Sequence, residues 1–166
     1  MRTRYNEDAE RKRKVNSMRT ILLFFVALLV LSSCGTPKVL PAPKQVIIYG
    51  ENGAVTIDVE IAANETAYEK GLSGRDGLEE NKGMLFVFAN DRFLNFWMKD
   101  MKFPLDVLFI ASDNKIVGVQ TMPVCLEEPC PVFTSKKIAQ YALEVSQGYA
   151  AKNKIKPGNT VVLGKE

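Results

Sequence analysis

The 166-residue sequence contains no histidine, and it has only one tryptophan and three cysteines. The absence of histidine excludes the Ser-His-Asp and Cys-His nucleophile arrangements. It also removes the usual general base near neutral pH and the commonest metal ligand. Any catalysis would have to use carboxylates, lysine, tyrosine or cysteine. The sequence therefore favours a binding protein over an enzyme, and it predicts neither a metal site nor a cofactor.

Long hydrophobic runs are also scarce, apart from "ILLFFVALLVL" at residues 21–31, which follows the basic stretch "RKRK" at residues 11–14. This order is typical of a signal peptide. The run is shorter than the roughly 20 apolar residues of a membrane-spanning helix. The following "LSSCG" resembles a bacterial lipobox, whose cysteine is lipidated and becomes the mature N-terminus. We therefore predict a lipoprotein-type signal peptide over residues 1–33 and a lipid on Cys34. The alternative is a plain secretory leader with an incidental cysteine.

The positive charge of the chain is concentrated in this leader. Residues 1–33 hold seven of the 22 Lys and Arg and three of the 19 Asp and Glu. The remaining 15 basic and 16 acidic residues give a net charge of −1. No nucleic-acid partner is expected, because such proteins carry a basic excess. Residues 34–45 include three prolines and predict the lipid anchor and a tether. Residues 46–166 remain as one domain, held at the membrane and facing the periplasm or exterior.

The two other cysteines, Cys125 and Cys130, lie in the proline-rich stretch "PVCLEEPCPVF". An oxidising envelope location favours a structural disulfide between them. A redox-active pair is the alternative, although the spacing differs from the Cys-x-x-Cys of thioredoxin-type motifs. Metal binding with Glu127 or Glu128 is not predicted, because structural zinc sites normally show four ligands in recognisable pairs.

The hydrophobic pattern of residues 46–166 predicts short β-strands. Residues 54–62 alternate between apolar and polar side chains, and "YGENG" predicts a hairpin turn that joins them to residues 46–49. The absence of regular strand–helix alternation argues against a parallel sheet. We predict a single compact antiparallel β-sandwich or barrel, jelly-roll-like, with about two short helices. The other predicted strands are residues 83–88, 93–98, 105–111, 116–122, 139–145 and 160–163, and the helices lie near residues 64–71 and 146–153.

Several motifs resemble one known family when they are taken in order. They are "YEKGLSGRDGL", "GMLFVF", "FWMKDMKFPLDVLFI", "KIVGV", "YALEV" and "IKPGN". Together they resemble domain-of-unknown-function family 192 over about residues 46–163. The resemblance implies a compact β-rich domain, often exported, with no established activity. Ser146 stands where the family often has Asn, so no polar role is carried over to that position.

The segment "NFWMKDMKFPLD" at residues 95–106 combines an aromatic floor with charged side chains. Arg75 and Lys99 beside Trp97 would suit a carboxylate, phosphate or sugar-acid ligand. Asp106 is a carboxylate within an apolar run, where it caps a turn or pairs with a cation. We predict that Arg75, Trp97, Lys99 and Asp106 bind a small anionic or sugar-like ligand. The alternative for Trp97 is core packing.

Two other functions remain open. Asp106 and Glu144 could serve as acid and base of an enzyme acting on cell-wall or sugar substrates, if their carboxyl groups lie about 5 Å or about 6.5–9.5 Å apart across a cleft. Strand alternation alone, however, favours a Glu144 that faces solvent. The protein could instead be an envelope structural or assembly factor that binds a protein partner through an exposed apolar patch. The oligomeric state stays open.

Overall fold

A computed structural model describes residues 44–164. The predicted signal peptide over residues 1–33, Cys34 and the tether as far as residue 43 lie outside the described residues. Within residues 44–164, no helix has the length and hydrophobicity to cross a membrane. The first strand begins at Gln45, one residue before the predicted start of the domain.

Nine strands and two short helices make up residues 44–164. Eight strands and both helices coincide with predicted elements. The unpredicted strand, β7, has three residues next to the cysteine loop, which is too short to show a periodic pattern. The elements are β1 (Gln45–Gly50), β2 (Gly53–Ala62), α1 (Glu65–Lys70), β3 (Lys82–Arg92), β4 (Asn95–Trp97), β5 (Leu105–Ile110), β6 (Ile116–Met122), β7 (Val132–Thr134), β8 (Ala139–Ser146), α2 (Tyr149–Lys152) and β9 (Thr160–Leu163).

Seven strands form one curled sheet in the order β6-β5-β8-β3-β2-β1-β9, and β4 and β7 form a separate two-stranded ribbon. An antiparallel bridge between Lys115 and Thr160 connects the two edges of the curled sheet. The predicted mainly β, barrel- or sandwich-like fold with two short helices is confirmed. One pair, β2 and β3, is parallel. A parallel sheet is normally predicted from a repeated alternation of strands and helices. The chain has only one such crossover, through α1, so its sequence did not indicate that β2 and β3 are parallel.

Local sequence signals explain where the first elements begin and end. The hairpin of β1 and β2 turns at residues 51–52, and Gly53 follows with φ +103°, which favours glycine. Helix α1 starts after Asn64, whose side-chain oxygen accepts a hydrogen bond from the Ala67 N–H at 3.0 Å. It ends at Gly71, where φ is +46°.

Both faces of the curled sheet are covered by apolar side chains. We call the cluster that includes residues of the β4–β7 ribbon the ribbon-side core, and the cluster that includes α2 the α2-side core. The ribbon-side core contains Met84, Phe86, Phe96, Met98, Val107, Phe109 and Ala142. The α2-side core contains Val46, Ile48, Ile57, Leu85, Leu108, Leu143, Val145, Tyr149 and Val161.

Cys125 and Cys130 are bonded to each other, with their Cα atoms 5.5 Å apart. The predicted disulfide is therefore confirmed in the structure. The partly buried Cys125 packs against the ribbon-side core, so the cysteine loop is attached to the body of the domain. No group of three or more Cys, Asp or Glu within residues 44–164 is arranged to hold a metal ion.

Candidate functional site

A cavity of about 200 Å³ lies beside α1, between β3 and the ribbon strand β4. Its apolar walls include Leu72, Phe86, Phe96 and Met101, which belong to the ribbon-side core. Glu144 also lines it, and we call it the Glu144 cavity. A larger hollow of about 590 Å³ lies elsewhere, along β2 and the start of β3. The charged side chains that line the larger hollow are all exposed, so the smaller cavity is the better candidate for a site. These exposed side chains are Lys44, Asp58, Glu60 and Lys82.

Glu144 is a buried acidic side chain at this cavity, only 5% exposed. Its neighbours across the sheet are Met84 on β3 and Val107 on β5, both apolar. No side chain or backbone group within residues 44–164 donates a hydrogen bond to the Glu144 carboxyl, and no cation there pairs with it. Burial raises the pKa of this carboxyl to about 8, because an ionised group loses hydration in apolar surroundings.

The location of Glu144 follows from the alternation of β8. Ala142 and Glu144 face the ribbon-side core, and Leu143 and Val145 face the α2-side core. Gly83 allows β3 to approach closely, since a Cβ at that position would meet the Glu144 carbonyl oxygen at 2.7 Å. The expectation that Glu144 faces solvent is wrong, because both faces of β8 are covered.

Trp97 lies at the cavity on the ribbon strand β4, with 52% of its surface exposed. The neighbouring residue Phe96 points inward, while Trp97 pairs with the exposed Val132 on β7. The Lys99 Nζ lies 5.6 Å from the centroid of the Trp97 ring, which is within cation–π range. The interpretation of Trp97 as a core residue is therefore contradicted, and the structure brings Trp97, Lys99 and Glu144 to one cavity.

The rest of the cavity lining adds charges that the sequence analysis missed. Arg92, at the end of β3, lies with its guanidinium carbon 4.5 Å from the Phe88 ring centroid. Lys70, Glu65 and Glu69 contribute from α1. Arg92 lies in the polar stretch "ANDRF", and no pattern in the sequence indicates that its side chain lies near Trp97. The pairing of β3 with β8 shifts register after Val87 and resumes at Arg92 opposite Ala139, and this irregularity positions Arg92.

Arg75 is not among the residues that line the Glu144 cavity. Its guanidinium donates two hydrogen bonds to the carboxylate of Glu60, at 2.5 and 2.8 Å. This hydrogen-bonded pairing lowers the pKa of Glu60 below its usual value. The structure therefore pairs Arg75 with Glu60 outside the cavity lining, although the preceding Gly74 N–H donates a hydrogen bond to the Asp100 carbonyl at 3.0 Å.

Asp106 is also separated from the cavity. It is 2% exposed and accepts hydrogen bonds from the Thr121 hydroxyl at 2.8 Å and the Ala150 N–H at 3.1 Å. In the β5–β8 pair, Asp106 lies opposite Val145 and Val107 lies opposite Glu144. Residues directly opposite share a face and successive residues alternate. Asp106 and Glu144 therefore point to opposite faces of the sheet, and no shared cleft exists for them as acid and base.

Comparison with known proteins agrees with this fold. A protein proposed as a transcription regulator from Sinorhizobium meliloti 1021 is 31% identical, with a TM-score of 0.67 over 75% of this chain and 96% of that chain. A protein of unknown function from Novosphingobium aromaticivorans is 26% identical, with a TM-score of 0.66 over 78% of this chain and 94% of that chain. The sequence matches none of the curated proteins with which it was compared. Because residues 47–163 match the model of DUF192, described as "Uncharacterized ACR", this chain belongs to the DUF192 family.

Proposed function

We propose that this protein is a lipid-anchored protein of the cell envelope whose domain binds a small anionic or sugar-like ligand in the Glu144 cavity. The buried carboxyl of Glu144, without a partner within residues 44–164, is the observation that carries the binding proposal. Burying such a group without a hydrogen bond costs free energy. A buried titratable group with a shifted pKa in a concave site is typical of a functional position.

The mouth of the cavity suits the proposed ligand class. The exposed face of Trp97 offers a flat apolar surface, and indole rings bury large contact areas at low entropic cost. Lys99 and Arg92 can donate charge-assisted hydrogen bonds to an acid group. Drug-sized sites measure about 300–1,000 Å³. The smaller volume of this cavity therefore favours a ligand about the size of one sugar ring, or one end of a longer molecule.

Ligand binding should change the fluorescence of Trp97, because this residue lines the cavity. Trp97 is the only tryptophan of the chain, so the emission reports on this site alone. We expect glucose, glucuronate or gluconate at millimolar concentration to shift or quench its emission. For a sugar acid, Lys99→Gln should weaken binding about tenfold, because it removes one charge-assisted hydrogen bond. Titration of the emission measures this. The domain alone can be used for the test, because two similar solved chains are matched over 96% and 94% of their length and so consist almost entirely of this fold.

Arg75→Gln is the matched control for Lys99→Gln, since both substitutions remove one surface cation. Arg75 does not line the cavity, so Arg75→Gln should leave sugar-acid binding unchanged. Loss of its exposed ion pair with Glu60 should cost at most about 1 kcal/mol of stability. Equal weakening by both substitutions, or an unchanged emission with every sugar, would contradict the proposed site.

The anchor is tested separately. Cys34→Ala should move the protein from the membrane fraction to the soluble envelope fraction, because acyl chains on the cysteine are what would hold it to the bilayer. Immunoblotting of both fractions measures this. Gly35→Ala keeps the cysteine and should leave the protein with the membrane. Membrane retention of Cys34→Ala equal to that of the native protein would exclude the lipid anchor.

The name of the Sinorhizobium meliloti protein suggests an alternative, a part in the regulation of transcription by contact with nucleic acid. The charge balance does not favour it. Residues 34–166 hold 15 basic and 16 acidic residues, whereas nucleic-acid binding depends on a basic excess that neutralises phosphates.

The surface of the ribbon favours a second candidate function, binding of a protein partner in envelope assembly. Phe93 and Val132 are 59% and 60% exposed, and Val132 lies directly opposite Trp97. Exposed apolar residues of this kind are common at interaction surfaces when they are contiguous. This candidate has no buried unpartnered group behind it, so it ranks below ligand binding.

A further inference from the structure

The surroundings of Glu144 favour a positive charge. The Phe86 and Phe96 rings at the cavity lie 5.1 Å apart in an edge-to-face arrangement. Tyr68, also in the lining, lies 4.7 Å from Phe88, whose face is already covered by the Arg92 guanidinium. Aromatic faces attract cations through their quadrupoles, and a carboxylate does so directly. The cavity therefore combines two features that stabilise a bound cation.

Within residues 44–164, no cation forms an ion pair with Glu144. Lys99 lies over Trp97 and Arg92 lies over Phe88, and neither forms an ion pair with Glu144. The five ion pairs of the described residues all lie elsewhere, on exposed side chains. In the free protein the carboxyl stays uncharged through burial, and a ligand that carries a positive charge would stabilise its ionised form.

We propose that the ligand is a small zwitterion, whose ammonium group pairs with the Glu144 carboxylate inside the cavity while its anionic group meets Lys99 at the mouth. This inference rests on the proposed function, because it assumes that the cavity binds a ligand, and it specifies the ligand's charges. Amino acids and amino-sugar acids belong to this class. The aromatic walls would contact the ammonium, and the exposed Trp97 ring would cover the carbon skeleton between the two charges.

Binding of an ammonium group should be linked to proton release. Burial raises the pKa of Glu144 to about 8, so near neutral pH the free carboxyl is mostly protonated. Only its ionised form can pair with an ammonium. The apparent affinity for an ammonium ligand is proportional to the fraction of protein in which Glu144 is ionised. This fraction rises about tenfold from pH 6 to pH 7, so the apparent affinity should rise by the same factor. The other charged or titratable groups around the cavity are Glu65, Tyr68, Glu69 and Lys70 on α1, Arg92 on β3 and Lys99 after β4.

The first test compares four-carbon probes of matched size by Trp97 emission and calorimetry. We expect n-butylammonium to bind at least tenfold more tightly than n-butanol at pH 8, with affinity falling toward pH 6. Glu144→Gln should remove both the preference and the pH dependence, whereas Glu127→Gln should keep them. Glu127 is an exposed acid outside the cavity lining, so this variant controls for general charge effects.

The second test adds the anionic group. Among ω-amino acids of three to six carbons, at least one should bind more tightly than n-butylammonium, and Lys99→Gln should abolish that gain. If n-butanol or butyrate binds as tightly as n-butylammonium, the cavity is a ligand site and only the zwitterion inference fails. The zwitterion inference also fails if no ω-amino acid binds more tightly than n-butylammonium. If neither these probes nor the sugars bind, both the zwitterion inference and the proposed function fail.

Discussion

At pH 9, Glu144→Gln should raise the free energy of unfolding relative to the native protein by several kcal/mol, on the order of 5. The pKa of Glu144 rises from 4.5 in the unfolded chain to about 8 in the folded domain. The folded state therefore holds a proton that the unfolded state releases, so the native protein loses stability as pH rises from 4.5 to 8. A difference of one pKa unit between the folded and unfolded states corresponds to about 1.4 kcal/mol. Glutamine does not titrate, so the variant avoids this loss.

Urea denaturation at pH 4, 6 and 9 would measure the effect. The two proteins should be close in stability at pH 4, where Glu144 is protonated in both states, and should diverge above pH 5. Glu69→Gln, an exposed substitution of the same kind, should follow the native curve throughout. A stability difference that stays constant between pH 4 and pH 9 would mean that Glu144 is not buried as described.

Asp106→Ala should lower the free energy of unfolding by about 3 kcal/mol. Asp106 connects three elements, because its carboxylate on β5 accepts hydrogen bonds from Thr121 on β6 and from the Ala150 N–H on α2. Removing it leaves the buried Ala150 N–H without this acceptor and opens a small space in the sheet. An unsatisfied buried donor alone costs about 1–3 kcal/mol. Thermal and urea unfolding would measure the loss.

Two milder substitutions separate the contributions of Asp106. Thr121→Val removes only the hydroxyl donor and should cost about 1 kcal/mol. Asp106→Asn retains an acceptor oxygen for Ala150 and should lie between Thr121→Val and Asp106→Ala. Neither should alter ligand binding, because Asp106 faces away from the Glu144 cavity. A large loss of ligand affinity in correctly folded Asp106→Asn would restore Asp106 as a site residue.

Local signals in the sequence were enough to predict most of the fold. The alternation of residues 54–62, the Asn64 cap and the Gly71 stop each act within a few residues, and each is confirmed. The parallel pairing of β2 with β3 was not predictable in this way. It depends on where a crossover of about 20 residues returns, which no short pattern encodes.

The site was only partly predictable, for a different reason. Trp97 and Lys99 are close in sequence, so their proximity followed from one segment. Arg75 and Glu144 are distant from it in sequence, and Asp106 lies at its far end on β5, so their grouping required knowing which face of the sheet each occupies. Where a strand is covered on both faces, alternation no longer separates inside from outside. That is why Glu144 was expected in solvent and Asp106 beside Trp97.

The strand order has a consequence for how the chain folds as it emerges. The strand β8 lies between β5 and β3 in the sheet but comes near the end of the chain, and β1 pairs with β9. Without residues 139–163, the sheet separates into the hairpin of β5 and β6 and the group of β1, β2 and β3. Pairing of this kind is slow because distant segments must meet. A chain that becomes available from its N-terminus could therefore complete this sheet only after its last strands had followed.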